Sequence, residues 1–282
     1  MLPSEHYWKK FNSALSPRLC TYAANMKVSA KKHLGQHFLR DENIARKIAA
    51  SLVKTDEYKK VLEIGPGMGV LTKHLLERHE FEIWVVEVDR ESVAYLEEHY
   101  PELKPRIISW DFLKIDLSEK FHEPIAVIGN FPYNISSQIL FSIIDHKDMV
   151  PEAAGMFQKE VALRVAAVHG SKTYGILSVI LQTWYDIKYL FTVSEHVFSP
   201  PPKVKSAVIR LTRNKRTSLP VDDKHFVEVV KAAFNQRRKV LRNALHAFEI
   251  IPGNEGHVFF TKRAEQLSVE DFISLSGLVR KV

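Results

Sequence analysis

Within residues 41–52, DENIARKIAASL, apolar positions recur four apart at Ile44, Ile48 and Leu52, and Asp41 stands where an N-cap belongs. That spacing predicts a helix. Four short runs rich in branched residues follow, VLEI at 61–64, IWVVEV at 83–88, RIIS at 106–109 and IAVIG at 125–129, and each reads as a buried strand. The helical patterns VLTKHLLERH and ESVAYLEEHY lie between them. Such alternation predicts an α/β domain with a doubly wound, parallel sheet covered on both faces. AAGMFQ, DIKYLFTV and SAVIRL add strands, and VALRVAAVHG and YGILSVILQTW add helices, which carries the domain to about Thr212. After NKRTSLP, residues 222–282 show helical patterns and little strand signal. The expected division is an N-terminal extension over 1–25 with no periodicity, a main domain over 26–212 and a small α-helical domain over 213–282.

Composition narrows the classes. Of 282 residues, 45% are hydrophobic and 26% charged, which suits a large core and excludes global disorder. The chain has no uninterrupted apolar stretch of the roughly 18 residues that a membrane span needs, and its opening residues lack a long apolar signal centre. Glu5 and the lack of an arginine-rich amphipathic face argue against a transit peptide. The single cysteine, Cys20, forms neither an internal disulfide nor a thiolate metal cluster, in keeping with a reducing, cytoplasmic setting and no metal. A formal net charge of +7 makes a polyanion a natural partner.

The segment VLEIGPGMGVLT joins the first sheet strand to a helix through Gly65, Gly67 and Gly69. Its GxGxG spacing lacks the third glycine of a dinucleotide fingerprint, because Val70 stands next. Glu87 ends the second strand and Asp111 follows the third, both at the carboxyl edge where ligands bind a doubly wound sheet. Glu87 can accept from two ribose hydroxyls and Asp111 from an adenine amino group, although either acid can also cap a helix; Asp89 reads as a cap. These features alone fit an S-adenosylmethionine enzyme or an unusual nucleotide binder.

NFPY, Asn130 to Tyr133, follows the strand PIAVIG and carries sharper chemistry. An adenine amino nitrogen is a poor nucleophile because its lone pair is delocalised into the ring. Hydrogen bonds from that amino group to the Asn130 side-chain carbonyl and the Phe131 main-chain carbonyl draw the nitrogen toward tetrahedral geometry and free the lone pair. Pro132 fixes its own φ and holds Phe131 extended, and Tyr133 offers a face for a flipped base. The alternative is an ordinary turn after a buried strand.

The motifs KKHLGQHFLRD, EIGPGMGVLT, VVEVDR, GNFPYNISS, FQKEVALR, VFSPPPKVKSAVIRL and FNQRRKVLRNAL together resemble those of the small-subunit rRNA adenine N6,N6-dimethyltransferases, the KsgA type, from about Lys31 to the C terminus. The resemblance implies a Rossmann-like S-adenosylmethionine-dependent methyltransferase domain with an α-helical RNA-binding domain behind it. It implies that two adjacent adenosines near the 3′ end of 16S-type rRNA are dimethylated during small-subunit biogenesis, by a monomer. Donor contacts would fall at His37, Leu39, Gly65, Glu87, Asp111 and Asn130, with His37 replacing the asparagine of the family's GQNFL. Phe198, which opens the pattern FxPxPxVxS, would help Tyr133 hold the target base. KAAFNQRRKVLR at 231–242 reads as a basic helix, and its Arg237, Arg238, Lys239 and Arg242 would meet RNA phosphates. Rival readings are a large-subunit rRNA dimethyltransferase, a non-catalytic ribosome-assembly factor on the same fold, and an NAD-dependent oxidoreductase, which the glycine spacing disfavours.

Overall fold

The computed structural model describes residues 28–282, so the expected extension over 1–25 and the domain start at residue 26 lie outside the described residues. A short strand β1 (Phe38–Leu39) leads into α1 (Glu42–Ala49), where the Asp41 carboxylate caps the helix by accepting from the amides of Asn43 and Ile44. The alternation then runs through β2 (Lys60–Ile64), α2 (Thr72–Leu76), β3 (Glu82–Val86), α3 (Arg90–His99), β4 (Ile107–Ile108), α4 (Leu117–Lys120), β5 (Ile125–Asn130) and α5 (Ser136–Asp145). β6 (Glu152–Gln158), α6 (Lys159–Val165), α7 (Ile176–Trp184), β7 (Tyr185–Val193), β8 (Phe198–Ser199) and β9 (Ser206–Arg213) complete this part. The remaining elements are α8 (Asp223–Asn235), α9 (Leu241–Ala244), β10 (Phe248–Ile250), α10 (Val269–Ser276) and β11 (Val279–Lys281).

Seven strands form one sheet in the order β4-β3-β2-β5-β6-β9-β7. The first five pair in parallel, whereas β9 is antiparallel to both β6 and β7. The expected parallel sheet therefore ends at β6, because β7 and β9 are linked through β8 without the crossover helix that parallel pairing demands. Successive residues of β5 go to opposite faces. Ile125 and Val127 join a core with Ile139 and Ile143 of α5 and Ile180 of α7, while Ala126 and Ile128 join another with Ile48 of α1 and Leu96 of α3. Burial on both faces is why the strand reads as an unbroken apolar run.

Phe226 and Val230 of α8 and Phe272 of α10 belong to the same buried cluster as Leu62 and Val127 of the sheet. The antiparallel pair β10 and β11 was not expected, since three-residue strands are too short to show alternation. The basic segment also differs from the expected helix. α8 stops at Asn235, and residues 236–239 form a turn carrying Arg237, Arg238 and Lys239. Its apolar face ends with buried Ala233 and half-buried Phe234, and the next apolar residue, Val240, is drawn into a bridge with Arg263. Among the described residues no helix is long and apolar enough to cross a membrane.

Two local devices brace the sheet, one at the amino edge and one near the carboxyl edge. Glu152, fully buried at the start of β6, accepts from the amides of Val53 and Lys54 and from the Tyr58 hydroxyl, and so ties the loop after α1 to the sheet. Gly129 of β5 and Gly155 of β6 face each other in register, and the Phe131 ring lies against both. A Cβ at residue 155 would overlap that ring and stand 2.5 Å from the Gly129 carbonyl oxygen. Gly155→Ala is thus expected to destabilise the fold by about 1–3 kcal/mol through overpacking. Urea unfolding is the check; unchanged stability would show that Phe131 has room to move.

Candidate active site

The glycine loop leaves β2 with positive φ at Gly65 (68°), Gly67 (57°) and Gly69 (77°). At Gly67 the constraint is double, because a Cβ there would also come within 2.9 Å of the Phe38 ring. The loop amide of Gly67 donates to Glu87 Oε2 at 3.1 Å, while Glu87 Oε1 accepts from the amides of Val88 and Asp89, each at 2.9 Å. Glu87 is buried, and burial pushes its pKa up against the opposing pull of the Asp89 and Gly67 amides. Asp89 caps α3 through the Glu91 amide, as expected, and also pairs with Lys31.

Glu63 escaped the sequence reading. It is fully buried in β2, two residues before Gly65, and accepts from the Thr72 hydroxyl at 2.6 Å. Burial raises its pKa to about 8, against the pull of Thr72 and with a further push from the Glu87 charge. At neutral pH the carboxyl is therefore largely protonated. An acid inside the otherwise apolar strand VLEI was the available signal, because an unpaired acid is rarely placed in a sheet interior without use.

NFPY follows the end of β5. Asn130 Nδ2 donates to the His37 main-chain oxygen at 2.9 Å, which fixes the amide orientation and leaves Oδ1 available to accept. The ring of Phe131 is buried beside Phe157, with centroids 4.8 Å apart, which gives that side chain a packing role. Its amide donates to the Met156 oxygen at 3.2 Å, so both sides of the peptide are held. Tyr133 is half-buried, with its hydroxyl bonded to Ser206 Oγ and its ring 5.4 Å from that of His37. Burial pushes the phenol pKa up, and the Ser206 bond acts in the opposite sense. His37 Nδ1 lies 2.8 Å from the Pro200 carbonyl, which only accepts, so that nitrogen carries the proton.

Two cavities meet here. The inner one is lined by Gly65, Gly67, Glu87, Asn130 and Tyr133 and is roofed by residues 34–38. The outer cleft, about 590 Å³, is bounded by Tyr133, Asn134, Gln158 and the loop from Pro200 to Val204, with Lys32 and Lys203 at its edge. His37 and Tyr133 belong to both. The inner cavity encloses about 50 Å³, well under the size of a small-molecule site, so a donor fits its polar groups only when the roof shifts.

Most predicted residues therefore converge: His37, Gly65, Glu87, Asn130, Phe131, Pro132 and Tyr133 line the inner cavity. Leu39 lies behind it, buried beside Gly65 and Asn130. Asp111 lies outside that lining and caps the short turn Phe112–Lys114 through the Leu113 amide. Phe198 needs correction. Its side chain is 3% exposed, paired in β8 with Leu39 and packed in the core, so no face is open to a base. Arg238, Lys239 and Arg242 are exposed, whereas Arg237 is half-buried and donates to the Ser171 carbonyl at 3.3 Å.

Comparison with known proteins bears on both halves of the site. The sequence pattern of the family described as ribosomal RNA adenine dimethylase matches residues 27–281. Ribosomal RNA small subunit methyltransferase A of Cytophaga hutchinsonii is 57% identical over 253 residues, covering 90% of this chain and 98% of that protein. Its namesake from Flavobacterium johnsoniae is 57% identical over 251 residues, covering 89% and 95%. Among solved structures, a dimethyladenosine transferase from Plasmodium falciparum superposes with a TM-score of 0.72 at 23% identity, over 86% of this chain and 99% of that one. The 23S rRNA methyltransferase ErmE gives 0.62 at 25% identity, over 84% and 98%. The glycine loop, the NFPY turn and the C-terminal helices all fall inside the matched span, and on that match the chain belongs to the ribosomal RNA adenine dimethylase family.

Proposed function

We propose that the protein transfers methyl groups from S-adenosylmethionine to the N6 nitrogens of two adjacent adenosines in the small-subunit rRNA, as a monomer acting in the cytoplasm during subunit assembly. One observation carries this reading: the free Asn130 Oδ1 belongs to the glycine-loop cavity, which shares His37 and Tyr133 with an open cleft of nucleotide size. The bound donor supplies an electrophilic methyl group. Glu87 holds its ribose hydroxyls, the glycine loop passes close beneath it, and Leu39 and Asp111 border its adenine. Asn130 Oδ1 and the Phe131 carbonyl accept from the target amino group, which localises the nitrogen lone pair toward the methyl. The alkylated nitrogen is acidic and gives its proton to water, so no strong base is required. Tyr133 supports the base, and Arg238, Lys239 and Arg242 bind rRNA phosphates beyond the cleft. A large-subunit substrate is disfavoured, since small-subunit relatives stand at 57% identity and the large-subunit enzyme at 25%.

Purified protein with labelled S-adenosylmethionine is expected to place label on adjacent adenines of undermethylated small subunits. Label confined to large-subunit rRNA would overturn the assignment. Asn130→Ala removes one of the two acceptors and is expected to cut single-turnover methyl transfer by about 10²- to 10³-fold while donor affinity, read by calorimetry, changes little. Turnover near that of wild type would sink the alignment mechanism.

Glu63 generates a pH test. Its folded pKa, about 8, lies above the ordinary value of 4.5, so the folded state holds the proton more tightly than the unfolded chain. The stability it contributes is complete below about pH 4.5 and is lost as pH rises toward 8, at no more than about 1.4 kcal/mol per pH unit. Glu63→Gln, measured without donor, is expected to gain on wild type steadily from about pH 5 to 8 in urea unfolding. Parallel stability curves would mean that Glu63 is ionised throughout.

A further inference from the structure

A third cavity, about 470 Å³, opens between the first turns of α5, α6, the loop into α7 and the end of α8. Its size is that of a small-ligand or single-nucleotide site. Phe141 and Phe234 give it aromatic surface, and Arg164, Lys172 and Arg237 give it three cations. Glu160, the one acid among the described residues lining it, is already paired with Arg164 at 2.8 Å. Tyr174, in the same wall, is fully buried, and its hydroxyl has no hydrogen-bond partner among the described residues.

Position supplies the rest. Asn134 and Gln158 line the outer cleft, and Ser137 and Glu160, three and two residues further on, line this cavity. Three residues span at most about 11 Å of chain, so the two openings are neighbours. Arg237 begins the basic turn on the far side, which puts the cavity between the cleft and the exposed cations Arg238 and Lys239. A cationic groove with aromatic platforms is the usual means of holding single-stranded nucleic acid without reading its sequence.

We propose that this cavity binds an unpaired nucleotide of the substrate RNA that flanks the adenosine held in the cleft, a reading that rests on the rRNA methyltransferase function above. Lys172 takes the phosphate, with Arg164 and Arg237, which pair with Glu160 and Glu265, beside it, and Phe141 with Phe234 takes the base. Holding the neighbour out of its stack keeps the target adenosine splayed into the cleft, so the site acts on RNA capture and presentation.

The test uses the full chain and an RNA hairpin carrying the target adenosines, with 2-aminopurine placed at each flanking position in turn. Binding is expected to alter 2-aminopurine fluorescence at a position next to the target pair. Phe141→Ala is expected to abolish that change and weaken RNA binding about tenfold. Lys172→Glu, on an exposed loop and therefore safe for folding, is expected to weaken binding comparably and to flatten its salt dependence. The proposal is overturned if no flanking position responds, or if both variants bind like wild type, while the same wild-type sample methylates undermethylated small subunits. A wild-type sample that binds the hairpin but methylates no rRNA would instead overturn the functional reading, and this one with it.

Discussion

The site depends on where one aromatic ring is packed. Phe131 sits in the crevice left by Gly129 and Gly155, against Phe157, on a sheet whose strands are buried on both faces. Burying a phenylalanine side chain contributes about 1.5–3 kcal/mol, somewhat more than the roughly 1–2 kcal/mol that two glycines in strands cost together. The two glycines are therefore a favourable exchange, and it has a geometric result. With the ring held in the core and the Phe131 amide bonded to Met156, the Phe131 carbonyl has a fixed direction. A main-chain acceptor in the active site thus inherits the rigidity of the hydrophobic core.

The second acceptor is fixed from the opposite side. Asn130 Nδ2 is held by the main chain of His37, which belongs to the roof segment, and the His37 ring is held by Pro200 of the outer loop. The roof, the Asn130 amide and the outer loop are consequently joined through one residue. The roof is otherwise tied by Lys31 and Gln36 to Asp89. The Lys31 end of this pair is partly exposed and the Asp89 end buried, so lifting the roof to admit a donor costs more than breaking a surface ion pair. The roof's main-chain contact to Asn130 sets the orientation of that amide.

Much of this was legible in the chain. Branched runs and helical spacing identified the strands from VLEI to SAVIRL, because two-sided burial leaves a local composition signal. Pairing direction was not legible: β9 inserts between β6 and β7 through contacts remote in sequence. At the site, His37, Gly65, Glu87 and NFPY converge as expected, since each sits at the carboxyl end of a strand or in the segment folded over it. Phe198 lies in the core and outside both cavity linings, because a motif position does not reveal which way a short β8 presents its ring. The basic run failed as a helix because charge spacing resembled helical spacing while the apolar face that would have sustained it had ended. Glu63 was missed for the opposite reason, being read as part of a strand when its burial was the informative fact.

Glu63 and Glu87 also set the electrostatic character of the glycine-loop edge. Two carboxyls at the carboxyl edge of adjacent strands are both buried, and each disfavours the charge of the other or is disfavoured by desolvation. A chain selected for stability alone would place apolar groups there, since isolated buried acids weaken a fold. A cationic donor reverses the balance: a positive charge brought into the cavity favours both ionised carboxyls, and the desolvation that penalises them in its absence strengthens their attraction to it. The same low-dielectric surroundings that make these acids unfavourable thereby strengthen the attraction of this edge for positive charge.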